Sequence, residues 1–164
     1  MHSFKKIAAL IAVLAALVGL AACGSETETS SFQLFDTQGI DQRETYSYQG
    51  DRVIKVQTKN TILYSVYHLN DKAEAEEKLK DGFDEFKNIK GIKHQVTYQE
   101  DRLIEILEID YTKVDLKKHA KLLNIHAADT DKVKYISFEK TKENLVKRGY
   151  QLITDDNYRN LPNP

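Results

Sequence analysis

The most constraining feature of this chain is its only cysteine, Cys23, which follows a basic start, an apolar run from Ile7 to Leu20, and the pair Ala21-Ala22. Lys5 and Lys6 hold the polar start on the cytoplasmic side. The run is too short to cross a bilayer core of about 30 Å comfortably as a helix, so it reads as a signal to be removed. Leu20-Ala21-Ala22-Cys23-Gly24-Ser25 has the form of a bacterial lipobox, in which the thiol is diacylglyceryl-modified and cleavage leaves Cys23 as the first mature residue. Each buried acyl methylene contributes about 0.8 kcal/mol, so two or three chains make the anchor effectively permanent. With that thiol used, no disulfide or thiol chemistry is available, and the exported domain must be held by its apolar core alone.

Removal of residues 1–22 leaves 142 of the 164 residues, a usual size for one domain. The expected address is the extracytoplasmic side of the cell membrane, or the periplasm or outer membrane where there are two membranes. Ser25, two places beyond Cys23, resembles the residue of lipoproteins not held at the inner membrane. Residues 23–43, polar at first and weakly periodic, read as the lipidated cysteine and a tether, although Phe32, Leu34, Phe35 and Ile40 are able to dock. Residues 44–153 read as the domain and 154–164 as a loose tail.

Within the domain, Gly50-Asp51 between the runs Glu44–Tyr48 and Arg52–Thr58 predicts a hairpin. A two-residue loop would pair Tyr48 with Val53, and a three-residue loop Tyr46 with Ile54. A turn at Lys59-Asn60 precedes a third strand, Thr61–His68. Asn70 or Asp71 caps a long helix to about Asn88, with Glu74 placed as in a capping box and Ala75, Leu79, Phe83 and Phe86 forming one stripe. Ile92, His94, Val96 and Tyr98 alternate along a strand, and Arg102–Tyr111 is apolar enough for a central one. Two shorter helices are expected, near 115–123 and 138–148, the second with Ser137 as N-cap and Gly149 at C′, where Tyr150 can touch Leu145. The fold class is α+β: an antiparallel sheet of about five strands packed by one long and two shorter helices.

Tyr46-Ser-Tyr-Gln-Gly-Asp-Arg-Val53, Phe86-Lys-Asn-Ile-Lys-Gly91, Ile109-Asp-Tyr-Thr-Lys-Val-Asp-Leu116 and Gly149-Tyr150, in that order, resemble the YehR-like bacterial lipoproteins, a family of uncharacterised function. The resemblance covers residues 44–153 and the lipobox. It implies an α+β domain on a lipid anchor, and supplies no activity or catalytic residue.

The chemistry legible in the residues is sparse. The histidines lack metal-ligand spacing and thiol companions, so no metal site is expected. Serine-hydrolase elbow, Walker, dinucleotide and EF-hand motifs are absent, so neither a cofactor nor a nucleic-acid partner is expected. His94, between Ile92 and Val96, reads either as a hydrogen-bonded core histidine or as a ligand or general base. Glu105, on an otherwise apolar strand, is the best candidate acid, set against a solvent-facing strand residue. Tyr46, Tyr48, Tyr64, Tyr67 and Tyr98, with His94, form a candidate ligand surface for a glycan, peptide or lipid group; tyrosine also suits strands for packing reasons alone.

Charge is uneven along the chain: residues 24–112 hold 11 basic and 18 acidic groups, and 113–148 hold 10 basic and 5 acidic. Lys117, Lys118 and Lys121 are therefore candidate contacts to anionic lipid or wall polymer, against a reading as scattered solubilising lysines. These observations describe a lipid-anchored binding or interaction module of unknown ligand and unknown protein partner. The alternatives are a hydrolase-type envelope enzyme, for which His94 or Glu105 should meet another acid or base, and a structural subunit of a membrane complex.

Overall fold

Runs rich in Thr, Tyr, Val and Ile, which suit a pleated half-buried surface, build most of the molecule into one sheet. The structure, a computed structural model, describes residues 26–123, 125 and 134–162. Its strands are β1 (Glu28–Asp36), β2 (Ile40–Gln49), β3 (Arg52–Leu63), β4 (Ile92–Tyr98), β5 (Arg102–Asp110), β6 (Ile136–Ser137) and β7 (Gln151–Ile153). The order is β4-β5-β3-β2-β1-β7, with β6 beside the start of β3, and every pairing is antiparallel. Two α-helices, α1 (Lys72–Leu79) and α2 (Phe138–Lys147), and two 3-10 segments, Tyr64–Tyr67 and Lys80–Phe86, complete the described elements. The α+β antiparallel architecture is as expected, but the sheet has seven strands rather than about five.

Two of the added strands come from the chain ends. Glu28–Asp36 is not tether: it pairs along its whole length with β2, and Phe32 is fully buried against Tyr46 and Phe138. A serine-rich stretch holds as a strand because both edges find partners, β7 closing its outer side. Lys59-Asn60 is no turn either. Both residues continue the β3 ladder, Asn60 opposite Gln42 on one side and Glu105 on the other. The strand ends at Leu63, and Tyr64–Tyr67 is a 3-10 turn closed by His68 in the left-handed conformation.

The hairpin takes the two-residue loop, pairing Tyr48 with Val53 and Gln49 with Arg52 around Gly50 at φ +57. A register shift follows between Ser47 and Tyr48, so that Tyr46 pairs with Val56. Ile54 thereby turns its carbonyl to accept from the Tyr111 N–H at 2.9 Å.

The helix expected to reach Asn88 stops being α at Leu79 and continues as 3-10 over Lys80–Phe86. Gly82 lies in this stretch, and the tighter winding brings Phe83 and Phe86 onto β4. Its start is as read: Asp71 accepts from the Glu74 N–H, and Glu74 reaches back to the Asn70 N–H, both at 2.9 Å. Residues 116–123 form successive turns rather than the expected helix. α2 matches its prediction at both ends. Ser137 accepts from the Lys140 N–H, while Gly149 at φ +92 lets its own N–H reach the Val146 carbonyl and that of Tyr150 reach Leu145.

The register sorts inward residues into levels. From the β2–β3 turn outward they are Ser30, Tyr46, Val56, Ile109 and Ile92; then Phe32, Glu44, Thr58, Leu107 and His94; then Leu34, Gln42, Asn60, Glu105 and Val96; then Asp36, Ile40, Ile62, Leu103 and Tyr98. One apolar cluster under α2 contains Phe32, Tyr46, Val53, Val56, Ile109, Phe138, Leu145 and Tyr150. A second, under α1, contains Tyr64, Ala75 and Leu103 with Leu79, Phe83, Val96 and Tyr98. Between the two clusters the levels carrying Glu44 and Glu105 add polar residues, Glu44, Thr58, His94, Gln42, Asn60 and Glu105, to the apolar ones.

The far side of the sheet is crossed by the C-terminal segment, which is not a loose tail. Gln33 donates to Asp41 and to the Arg159 carbonyl, both at 2.7 Å, and Arg43 bonds Asp41, the Arg159 carbonyl and Asn160. Arg102 holds the Pro162 carbonyl at 2.7 Å, and Leu161 is buried.

Candidate functional site

The alternation of β4 puts His94 on the inward face, and the β4–β5 register puts it diagonally across from Glu105. Its Nε2 lies 2.8 Å from Glu105 Oε1, and Asn60 Nδ2 donates to Glu105 Oε2 at 2.7 Å. The His94 and Glu105 side chains are 8% and 14% exposed. Glu105 so fixes the orientation of the imidazole. The Phe83 and Phe86 rings lie over the imidazole at 5.5 and 4.8 Å between centroids.

His94, Phe83 and Phe86 form a wall of an open cavity of about 490 Å³ between β4 and the 3-10 segment. Ile92, Val96, Phe83 and Phe86 supply its apolar surface, and Lys80, the Asp84–Lys87 ion pair and Tyr98 also line it. The Tyr98 hydroxyl is buried without a protein hydrogen-bond partner. Burial first, and Glu76 second, push its ionisation above the ordinary tyrosine value, so it acts as a neutral donor. An unpaired buried hydroxyl costs about 1–3 kcal/mol.

A second carboxylate, Glu44, lies two strands away. Tyr46 donates a short hydrogen bond to it, and Tyr150 donates to Gln42 at 3.1 Å. Burial and the Glu44 charge together raise the Tyr46, Tyr111 and Tyr150 hydroxyls, Tyr111 to about 12. Glu44 thus sits among neutral tyrosine hydroxyls above the α2 cluster, apart from the cavity beside His94.

The expected tyrosine surface does not assemble. Tyr46 and Tyr64 are core residues, Tyr64 donating to the Gln99 carbonyl at 2.7 Å, and Tyr48 stacks on Phe138 with centroids 3.7 Å apart. Large apolar rings on a strand that already has a helix above it are drawn into the packing. Tyr67 is 44% exposed on the 3-10 turn, where Glu105 adds to burial in raising its hydroxyl. Only Tyr98 and His94 of that set line the cavity.

Lys118 and Lys121, with His119, line a second open cavity of about 680 Å³ whose floor is Phe86, Ile89 and Leu122. Lys117 lies beside them, its N–H held by Asp115 at 3.1 Å. Cys23 is outside the described residues. Among the described residues no group of three His, Cys, Asp or Glu side chains is placed to hold a metal, and no helix is long and apolar enough to cross a membrane.

Sequence reading named His94 and Glu105 separately and missed Asn60, whose polar side chain mid-strand reads as turn material. Phe83 and Phe86, read only as a core stripe, also face the cavity. The available signal was a run of polar residues at inward register positions, legible only once the strand pairing is known.

Comparison with known proteins agrees with this architecture. "Uncharacterized lipoprotein Lin0239" of Listeria innocua is 36% identical over 151 residues, spanning 92% of this chain and 97% of that protein. "Uncharacterized lipoprotein YehR" of Escherichia coli is 26% identical over 151 residues, spanning 92% and 98%. The NMR structure of E. coli YehR superposes with a TM-score of 0.66 at 25% identity over 82% of this chain and 96% of that one. An NMR structure of a Streptococcus pneumoniae TIGR4 protein shares the fold with a TM-score of 0.52 at 15% identity, over 82% and 89%. A model of the family described as "Protein of unknown function (DUF1307)" matches residues 28–151, and the chain belongs to that family, whose relatives here are named as lipoproteins.

Proposed function

We propose that this chain is a lipid-anchored binding module of the cell envelope, tethered through Cys23 after loss of residues 1–22, whose ligand enters the cavity between β4 and the 3-10 segment. The observation that carries the reading is an open aromatic cavity lined by Phe83, Phe86, Tyr98 and His94, the last held by Glu105. Such a site suits a small amphipathic molecule, its apolar body against Phe83, Phe86, Ile92 and Val96 and its polar group toward His94. Titration of the protein with a panel of aromatic and alkyl glycosides, followed by NMR, tests it. Shifts should cluster at His94, Val96 and Tyr98, and Phe86→Ala should weaken binding. Ligands that bind with no change at these residues would refute the assignment.

The His94–Glu105 pair also favours a second reading, a hydrolase-type enzyme in which the carboxylate orients the imidazole as a base. His94→Gln abolishing a measured activity without unfolding would replace the binding module with that enzyme.

A further inference from the structure

The sheet begins much closer to the anchor than a tether ending at residue 43 would allow. Thr27 is already fixed, its hydroxyl accepting from Gln49 Nε2 at 3.0 Å, and β1 starts at Glu28. Four peptide steps separate Cys23 from Thr27, a reach of at most about 14 Å. From Glu28 to Asp36 the strand then runs about 27 Å away from that point. Only one end of the sheet is therefore held beside the lipid.

That end contains the β2–β3 turn, the start of α2 and the turn after β5. Asp51 ties the first two together by accepting from the Ser137 hydroxyl and the Glu139 N–H, both at 2.9 Å. Lys113 is paired with Asp110, and Lys55 and Lys93 with Glu108. Arg52, Lys90, Lys134 and Lys140 stand at the same end without an ion-pair partner among the described residues. Glu26, Glu28, Glu139 and Asp51, whose carboxyl Lys140 helps to hold down, oppose them, and Lys118 and Lys121 add basic groups toward Ile89. The opposite end carries Asp36, Asp71 and Glu100, with Arg102 paired to Asp101. Charge attraction decays over about 8 Å at physiological salt, so an anionic bilayer acts on the tethered end and hardly on the other.

We propose that the domain stands end-on on an anionic lipid surface, with the β2–β3 turn and the start of α2 toward the bilayer and the Asp36–Ile40 turn away from it. The inference rests on the Cys23 anchor of the proposed function. The test uses the full lipidated chain in phosphatidylglycerol vesicles containing a lipid spin-labelled at its headgroup. A maleimide dye is placed at Gln49→Cys or at Gln38→Cys, one position at each end of the sheet. The wild-type chain, its Cys23 thiol blocked by lipid, should take up no dye; labelling there would overturn the anchor itself. With the anchor intact, quenching at position 49 should exceed that at position 38 several-fold. Charge reversal at Lys90, Lys134 and Lys140 together should raise quenching at position 38 toward that at position 49. Equal quenching at the two positions in the unreversed chain, or more at position 38, would overturn the end-on arrangement.

Discussion

His94 and Glu105 are not cross-strand partners, since His94 faces Leu107 and Val96 faces Glu105, yet their side chains meet diagonally at 2.8 Å. Asn60 closes on the same carboxylate from β3, so three strands are joined by one part-buried acceptor. Cutting Glu105 back to Ala leaves both donors without it and should cost about 1–3 kcal/mol in chemical denaturation. Asn60→Ala in the same background should cost much less than it does alone, because its partner is already gone. Additive losses would show that the two contacts are independent.

How much of this was legible depends on whether the deciding contact was local. The Asp71 and Ser137 caps, the Gly149 termination and the alternation of Ile92 to Tyr98 involve neighbours within a few residues, and the structure has them as read. Glu28–Asp36 was misread because its stability comes from β2 on one side and from β7, more than a hundred residues later, on the other. Lys59-Asn60 looked like a turn because polar residues inside a strand make sense only when Asn60 is seen to face Glu105. The same holds for the site: His94 and Glu105 each stood out, but their meeting is a product of register.

Phe32 tests the strand that composition concealed. It is fully buried among Tyr46 and Phe138, so Phe32→Ala should cost about 3–5 kcal/mol. A denaturation midpoint that stays put would return residues 28–36 to the tether.

Gly91 and Gly50 both have positive φ, at +90 and +57, but differ in surroundings. A Cβ on Gly91 would come 2.8 Å from the Val114 N and 3.0 Å from the Asp110 carbonyl, whereas one on Gly50 meets nothing within 4 Å. Alanine at Gly50 should therefore cost only the left-handed penalty of about 1–2 kcal/mol. Alanine at Gly91 adds a clash with backbone that cannot swing aside, and should cost more. Equal losses in thermal melts would mean that the turn after β5 yields freely.

Asp110 gives a prediction in pH. Hydrogen bonds from the Lys113 ammonium and the Thr112 hydroxyl, followed by the Thr112 N–H, hold its carboxyl down at about 2, from an ordinary value of 3.8. A depressed folded-state value means the unfolded chain binds the proton first as acid is added. The stabilisation is complete above the unfolded value near 3.8 and is lost as pH falls toward about 2. Asp110→Asn removes the titrating group, so stability measured by urea denaturation should fall less steeply across that window than in the wild type. Identical slopes in the two proteins would show that the charge on Asp110 contributes nothing to folding and that its contacts with Thr112 and Lys113 are made after the fold is secured by other means.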